Sequence, residues 1–371
     1  MGFKTSSVNQ QAMFVDRLGK VEDLFKHHIN QGLHPGAALA VYQDGKLIVD
    51  LYSGLSDRES AKPAYSDTMF ILYSCTKPLT ATCMYILWER GQIKWHEPVA
   101  KYWPEFSQNG KSGVTIHHIL THQGGFPQTP SSLTWNKWDD WDFIAKAICG
   151  ITPQFGPGEV MAYHPRNYGW VLGELVRRID GRPINEFLSQ EVFNPLEMTD
   201  SYLGLPNGLG SRVSRVHAME DCDRAGAIPI YNQPEVHRSI QPSGGAIMTA
   251  RDLAKFYAML GSKGSLNGVK ILSPDTVAEA TKIHADAIDK SLGGRRKRGL
   301  GLVINDARMG CLNGIDEYSF GHAGAGTSVS WADTRSGLAC AYITNGFRAE
   351  NSNVPRLGAM SRAVKQLCAP Y

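Results

Sequence analysis

Strand texture sits at the two ends of this chain, and the long stretch between them reads mainly as helix. Near the start, Ala37-Ala38-Leu39-Ala40-Val41-Tyr42 and Lys46-Leu47-Ile48-Val49-Asp50-Leu51-Tyr52 flank Gln43-Asp44-Gly45. Asp-Gly between two apolar runs predicts a β-hairpin. After residue 299 the segments 300–304, 319–322, 327–332 and 338–344 again have strand texture, punctuated by Gly and Asp. A helix is predicted before the hairpin over 12–31, where Met13, Phe14, Leu18, Val21, Leu24, Phe25 and Ile29 recur at three- and four-residue steps. A second closes the chain over 354–368. The expected fold is therefore α+β (or α/β). One antiparallel sheet is built from both termini and covered by helices, with a mainly helical lobe inserted. In residue terms this is a single catalytic unit over 1–371. Its α/β lobe comes from 1–75 and 295–371, and its helical lobe from 76–294.

Local signals place the inserted elements. The segment 79–90 is apolar at helical spacing and stops at Gly91. Thr115 is an expected N-cap for the helix beginning at Ile116, and the helix from Tyr168 to Asp180 ends at Gly181. Thr249, with Asp252 at the third position, and Ser273, followed by Pro274, predict two further capped helices. Residues 202–245 are irregular and rich in Gly, Pro and Asn. Together with the tryptophans at 135, 138 and 141 they are expected to wall a pocket, although such a tryptophan cluster is more often a packing unit. Gly293-Gly294-Arg295-Arg296-Lys297-Arg298 reads as a solvated basic loop.

Composition removes several classes of function. The formal net charge is +3 over 371 residues, too small to make nucleic acid or an anionic membrane the main partner. Seven cysteines are scattered without any C-x-x-C pair, against a disulfide framework and a structural zinc site, so a reducing, cytoplasmic compartment is expected. No apolar h-region or membrane-length span is seen, so neither export nor insertion is indicated. Met1-Gly2-Phe3-Lys4-Thr5-Ser6 matches the loose myristoylation pattern without polybasic support. His118 and His122 stand four apart, as on a zinc-binding helix. They lack an acidic residue between them and a third ligand, so bonds to backbone near the helix end are expected instead.

Chemistry enters with Ser74-Cys75-Thr76-Lys77. A hydroxyl and an amine three residues apart share one face of a helical segment, which lets the lysine act on the serine proton. Ser74 should stand at a helix start, where free amides and the helix dipole favour developing negative charge. Two further stretches follow in order: Tyr163 in a loop after Gly156-Pro157-Gly158-Glu159, and His322-Ala323-Gly324 at the opening of a strand. This set, with 119–125 and 244–254, resembles the serine β-lactamase and penicillin-binding-protein superfamily over residues 15 to 350. Class C β-lactamases and family VIII carboxylesterases are the nearest branches. Two departures favour the esterase branch. The Tyr-x-Asn of class C enzymes is Tyr163-His164-Pro165 here, with Asn167 out of register. The Lys-Thr-Gly that helps hold a β-lactam carboxylate is His322-Ala323-Gly324, and histidine is mostly neutral at pH 7.

The resemblance implies a serine hydrolase that cleaves small carboxylic esters through a Ser74 acyl-enzyme. Lys77 and Tyr163 are the proton carriers, either of which could be the base. It also implies an oxyanion hole at the backbone amides of Ser74 and Ala325, with Gly324 leaving room for substrate and His322 either bonding Tyr163 or the substrate rim or serving a structural role. No cofactor or metal is expected, and oligomeric state is silent. Transfer of the acyl group to an alcohol, β-lactam or D-amino-acid peptide hydrolysis, and a non-catalytic scaffold are the competing readings.

Overall fold

The computed structural model describes residues 4–311 and 318–367, and the Met1-Gly2-Phe3 start of the acylation-like pattern lies outside them. Among the described residues the main sheet has nine strands, all antiparallel. Numbered along the chain they are β1 (Gly36–Gln43), β2 (Lys46–Asp57), β3 (Lys62–Pro63), β4 (Ala285–Ile288), β5 (Arg295–Arg298), β6 (Val303–Ile304), β7 (Ser319–Gly324), β8 (Ser328–Asp333) and β9 (Leu338–Thr344). Their spatial order is β4-β5-β6-β7-β8-β9-β1-β2-β3, so the two ends of the chain meet where β9 pairs β1. The predicted hairpin turns at Asp44 and Gly45, both left-handed, with φ of 47° and 77°.

Both faces of the central strands are buried, which explains why they read as unbroken apolar runs instead of alternating ones. Ala37, Leu39 and Val41 of β1 pack with Val21 and Phe25 of helix α1 (Lys4–Asn30) and with Leu357, Met360 and Val364 of the carboxy-terminal helix. Ala38, Ala40 and Tyr42 face the other way, toward α2 (Lys77–Glu89) and the helix Ala250–Gly261. The first helix begins at Lys4, ahead of the expected 12, and the last runs Glu350–Gln366, with Cys368 outside the described residues.

Two sequence expectations change here. The run 300–304 keeps only Val303–Ile304 as strand, because Gly301 takes a left-handed φ of 79° and lies where a Cβ would meet Tyr168 Oη at 2.4 Å. The basic run 293–298 is not a solvated loop: Arg295–Arg298 is strand β5, paired on both sides, and its last side chain points inward. A strand alternates its faces, so one arginine of the run is buried while Arg295 is exposed. The sheet also takes in β4, ahead of the expected lobe boundary at 295. The other predicted caps form as expected, with Thr115, Thr249 and Ser273 each accepting the backbone N–H three residues on.

Candidate active site

Ser74 lies in a tight turn, Tyr73–Thr76, that runs directly into α2. The residue before it, Tyr73, has φ of 47°, a left-handed conformation unusual for a bulky side chain. Its ring is wedged edge-on between Tyr231 and Phe347, 4.9 and 5.6 Å away. Backbone pairing anchors the turn on both flanks: Leu72 N–H donates to Ala246 O, and Ala246 N–H donates to Thr76 Oγ1. Ser74 is thus presented at the apex of a locked bend, half-exposed among buried neighbours.

Lys77 sits one turn on, fully buried, with Nζ 3.4 Å from Ser74 Oγ. Nζ also donates to Pro165 O at 2.9 Å and Ser243 O at 3.0 Å. Burial, then the charges of Arg298 and Arg166, drive the amine well below its ordinary pKa. A neutral amine has two N–H groups and one lone pair. In that state the two carbonyls would take the N–H groups and leave the lone pair facing Ser74 Oγ.

Tyr163 closes the group. Its hydroxyl donates to Ser74 Oγ at 2.6 Å, and Lys77 Nζ lies 4.7 Å from the centre of its ring. Burial pushes the phenol up to about 12, against the Ser74 hydrogen bond and the Arg298 charge, so it is protonated at neutral pH. Ser74 Oγ therefore lies within hydrogen-bond reach of both the Tyr163 hydroxyl and Lys77 Nζ.

The Tyr163 loop is held by a pair that sequence reasoning missed. Asp289 is fully buried, and its Oδ1 accepts from the backbone N–H groups of Tyr163, Ser291 and Leu292. Its Oδ2 accepts from Arg298 Nη2 at 2.8 Å, and Arg298 lies 5.4 Å from the Tyr163 ring centre. The signal was present: Arg298 ends the basic run directly before the apolar Leu300 and Leu302, where a strand would turn it inward. From the other side His122, at φ of 60°, accepts on Nδ1 from His164 N–H and on its carbonyl from Ala162 N–H. His118 accepts from the Thr115 N–H at the start of its helix, Ile116–Leu120. Both rings therefore bond backbone, His118 at the helix start and not its end.

A cavity of about 280 Å³ is lined by Ser74, Tyr163, Gly244 and Ala325 and walled by 224–245, as expected of that irregular stretch. The tryptophans at 135, 138 and 141 are absent from that wall. Trp138 is buried beneath the Arg166 guanidinium at 3.9 Å, and Trp141 donates to Glu174. Trp138 and Trp141 are packing residues, Trp135 is exposed, and Trp170 faces the cavity instead.

The third motif also needs correction. His322 makes no hydrogen bond to Tyr163: its Nδ1 is paired with Ala323 O, and burial holds the ring well below its ordinary pKa, hence neutral. Its ring centre stands 6.2 Å from that of Tyr163, a packing contact. Gly324 is small for a different reason than substrate access, since a Cβ there would fall 2.5 Å from Leu72 O, under the Ser74 turn. Ala325, next along, does reach the cavity. Asn167, out of register in the sequence, donates to Phe126 O and Gln128 O and so braces the loop below.

A family model described as Beta-lactamase matches residues 21–364. The chain belongs to the β-lactamase family. Esterase/beta-lactamase LipL of Mycobacterium tuberculosis is 27% identical over 343 residues, 84% of this chain and 77% of that protein. A penicillin-binding-protein homolog from Caulobacter crescentus superposes with a TM-score of 0.85 at 29% identity, over 95% of this chain and 98% of the other. A family VIII carboxylesterase does so with a TM-score of 0.82 at 28% identity, over 93% and 96%. This β-lactamase-family chain is an enzyme of the serine-hydrolase class to which these esterases and β-lactamases belong. Among the described residues no helix is long and apolar enough to cross a membrane.

Proposed function

We propose that the chain hydrolyses small carboxylic esters through an acyl-enzyme on Ser74. The observation that carries this is the environment of Lys77: two carbonyls, one hydroxyl, neighbouring cations and no carboxylate partner. Ser74 Oγ attacks the ester carbon while its proton moves to Lys77 Nζ. The carbonyl oxygen becomes an oxyanion held by the backbone N–H groups of Ser74 and Ala325. When the intermediate collapses, the C–O bond to the alcohol breaks, and the proton passes from Lys77 by way of Tyr163 to the departing alkoxide. Water then attacks the Ser74 ester with the same groups acting in reverse. Lys77 is assigned as the base because burial and neighbouring cations lower its amine, whereas burial raises the Tyr163 phenol, which keeps its proton at neutral pH.

Esters are favoured over β-lactams by the neutral, buried His322 where a lysine would hold a carboxylate, and by similarity to a family VIII carboxylesterase. Turnover of p-nitrophenyl acetate and butyrate by wild type and Ser74→Ala is the test. Loss of about 10³-fold or more in the variant is expected; equal rates would end the proposal. Amide hydrolysis is the second reading, supported by similarity to the penicillin-binding-protein homolog. Nitrocefin turnover faster than ester turnover would favour it.

A further inference from the structure

The charge lining the cavity says more about what enters it. Among the described residues the wall carries two arginines, Arg166 and Arg224, and no aspartate or glutamate. Arg166 is half-buried, stacked on Trp138, and its polar side-chain partners, Gln241 and Tyr231, are both uncharged. Among the other interior arginines, Arg298 is answered by Asp289 and Arg308 by Asp306 and Glu350, while Arg356 is hydrogen-bonded to His34, Thr344, Thr327 O and Asn353. Arg166 and Arg224 are close enough to repel each other, and Arg166 also burdens Lys77. Half-burying a guanidinium beside a second cation is unfavourable unless an anion completes the set.

We infer that the substrate carries a carboxylate, held by Arg166 and Arg224 at the end of the cavity formed by the Tyr163 loop and residues 224–245. Neither arginine belongs to β7, the strand that carries the His322-Ala323-Gly324 motif. Arg166 is tied to the reacting centre through its own backbone. Its carbonyl accepts from Ser243 Oγ, and the Ser243 carbonyl accepts from Lys77. A planar guanidinium, fixed by stacking, matches a carboxylate with two parallel hydrogen bonds. Arg224, exposed at the rim, adds charge that draws the anion in.

The inference rests on the ester-hydrolase reading for its chemistry but is tested apart from it. Three esters are compared: p-nitrophenyl butyrate, the mono-p-nitrophenyl ester of glutarate, and 4-butyryloxybenzoate. The second carries the carboxylate on the acyl side and the third on the alcohol side. At least one anionic ester should exceed the neutral one in kcat/KM by about tenfold or more, the worth of one charge-assisted pair. Arg166→Gln and Arg224→Gln should each lower that anionic-to-neutral ratio, mainly through KM, with Arg166→Lys between Arg166→Gln and wild type. A ratio near one in wild type, or a ratio unmoved by both glutamine variants, overturns the inference. Calorimetry of glutarate binding to Ser74→Ala needs no turnover. Binding that is weakened in Ser74→Ala/Arg224→Gln supports the anion site even if every ester is inert, a result that would sink the hydrolase reading alone. No binding, with the variants folded by circular dichroism, contradicts the site itself.

Discussion

Among the described residues two lysines, Lys77 and Lys111, are fully buried, and their surroundings differ. Lys111 donates to the carbonyls of Gln108, Cys149 and Ile151, three acceptors for the three N–H bonds of an ammonium. It ties two loops of the helical lobe together. Lys77 meets two carbonyls and the Ser74 hydroxyl, with Arg298 and Arg166 as its nearest charges. Burial lowers both amines, but the surroundings of Lys77 add cations where those of Lys111 add a third acceptor. In the proposed mechanism Lys77 serves as the base because one of its acceptors is the hydroxyl it must deprotonate. Burial alone does not decide it.

The sharpest way to break this contrast is to remove each amine. Lys77→Met should lower kcat/KM on p-nitrophenyl butyrate by about 10³-fold or more. Lys111→Met should change it by less than about threefold, and lose about 3 kcal/mol in urea unfolding because three carbonyls are orphaned. Tyr163→Phe comes next, with about 10²–10³-fold lost from kcat, since Ser74 loses its donor and the leaving group its acid. A smaller effect is expected at the support: Asp289→Asn should lower kcat by about tenfold with KM little changed, by loosening the Tyr163 loop. Replacing Asp289 and Arg298 together, as Asp289→Asn/Arg298→Met, avoids leaving a lone buried charge. That double variant also removes a cation that lowers Lys77, so the acid limb of kcat/KM should move to higher pH.

The smallest effect is on stability. Lys77 has a folded pKa below its unfolded one, so between the two values the unfolded chain binds the extra proton. Stability therefore rises with pH across that window. Wild type should gain on Lys77→Met in urea midpoint as pH is raised from neutral toward 10, and an unchanging difference would mean that Lys77 is charged in the folded state.

Much of this was legible before any coordinates. Hairpin chemistry, caps and apolar runs placed the central strands and most helices, because those signals are local and were not overruled. Ser74 and Lys77 were readable from spacing and Tyr163 only through the family resemblance, and the structure brings Ser74 within hydrogen-bond reach of both. What escaped depended on which way a strand faces. Arg298 looked like one charge in a solvated run, yet pairing with β4 and β6 turned it onto Asp289, nine residues earlier in the chain. Gly301 broke a strand for the sake of contact with Tyr168, and His322 was turned onto the Ala323 carbonyl. Long-range packing set these outcomes, and composition holds no trace of it.

The central claim is that Lys77 is neutral and takes the Ser74 proton. It is tested most directly by the rate at which a fluorophosphonate phosphonylates Ser74, with loss of fluoride, in wild type as a function of pH. Half-maximal labelling at a pH well below lysine's ordinary range, lost in Lys77→Met, is the expected result. Labelling that stays flat with pH, rises only as lysine ordinarily titrates, or survives in Lys77→Met would contradict it.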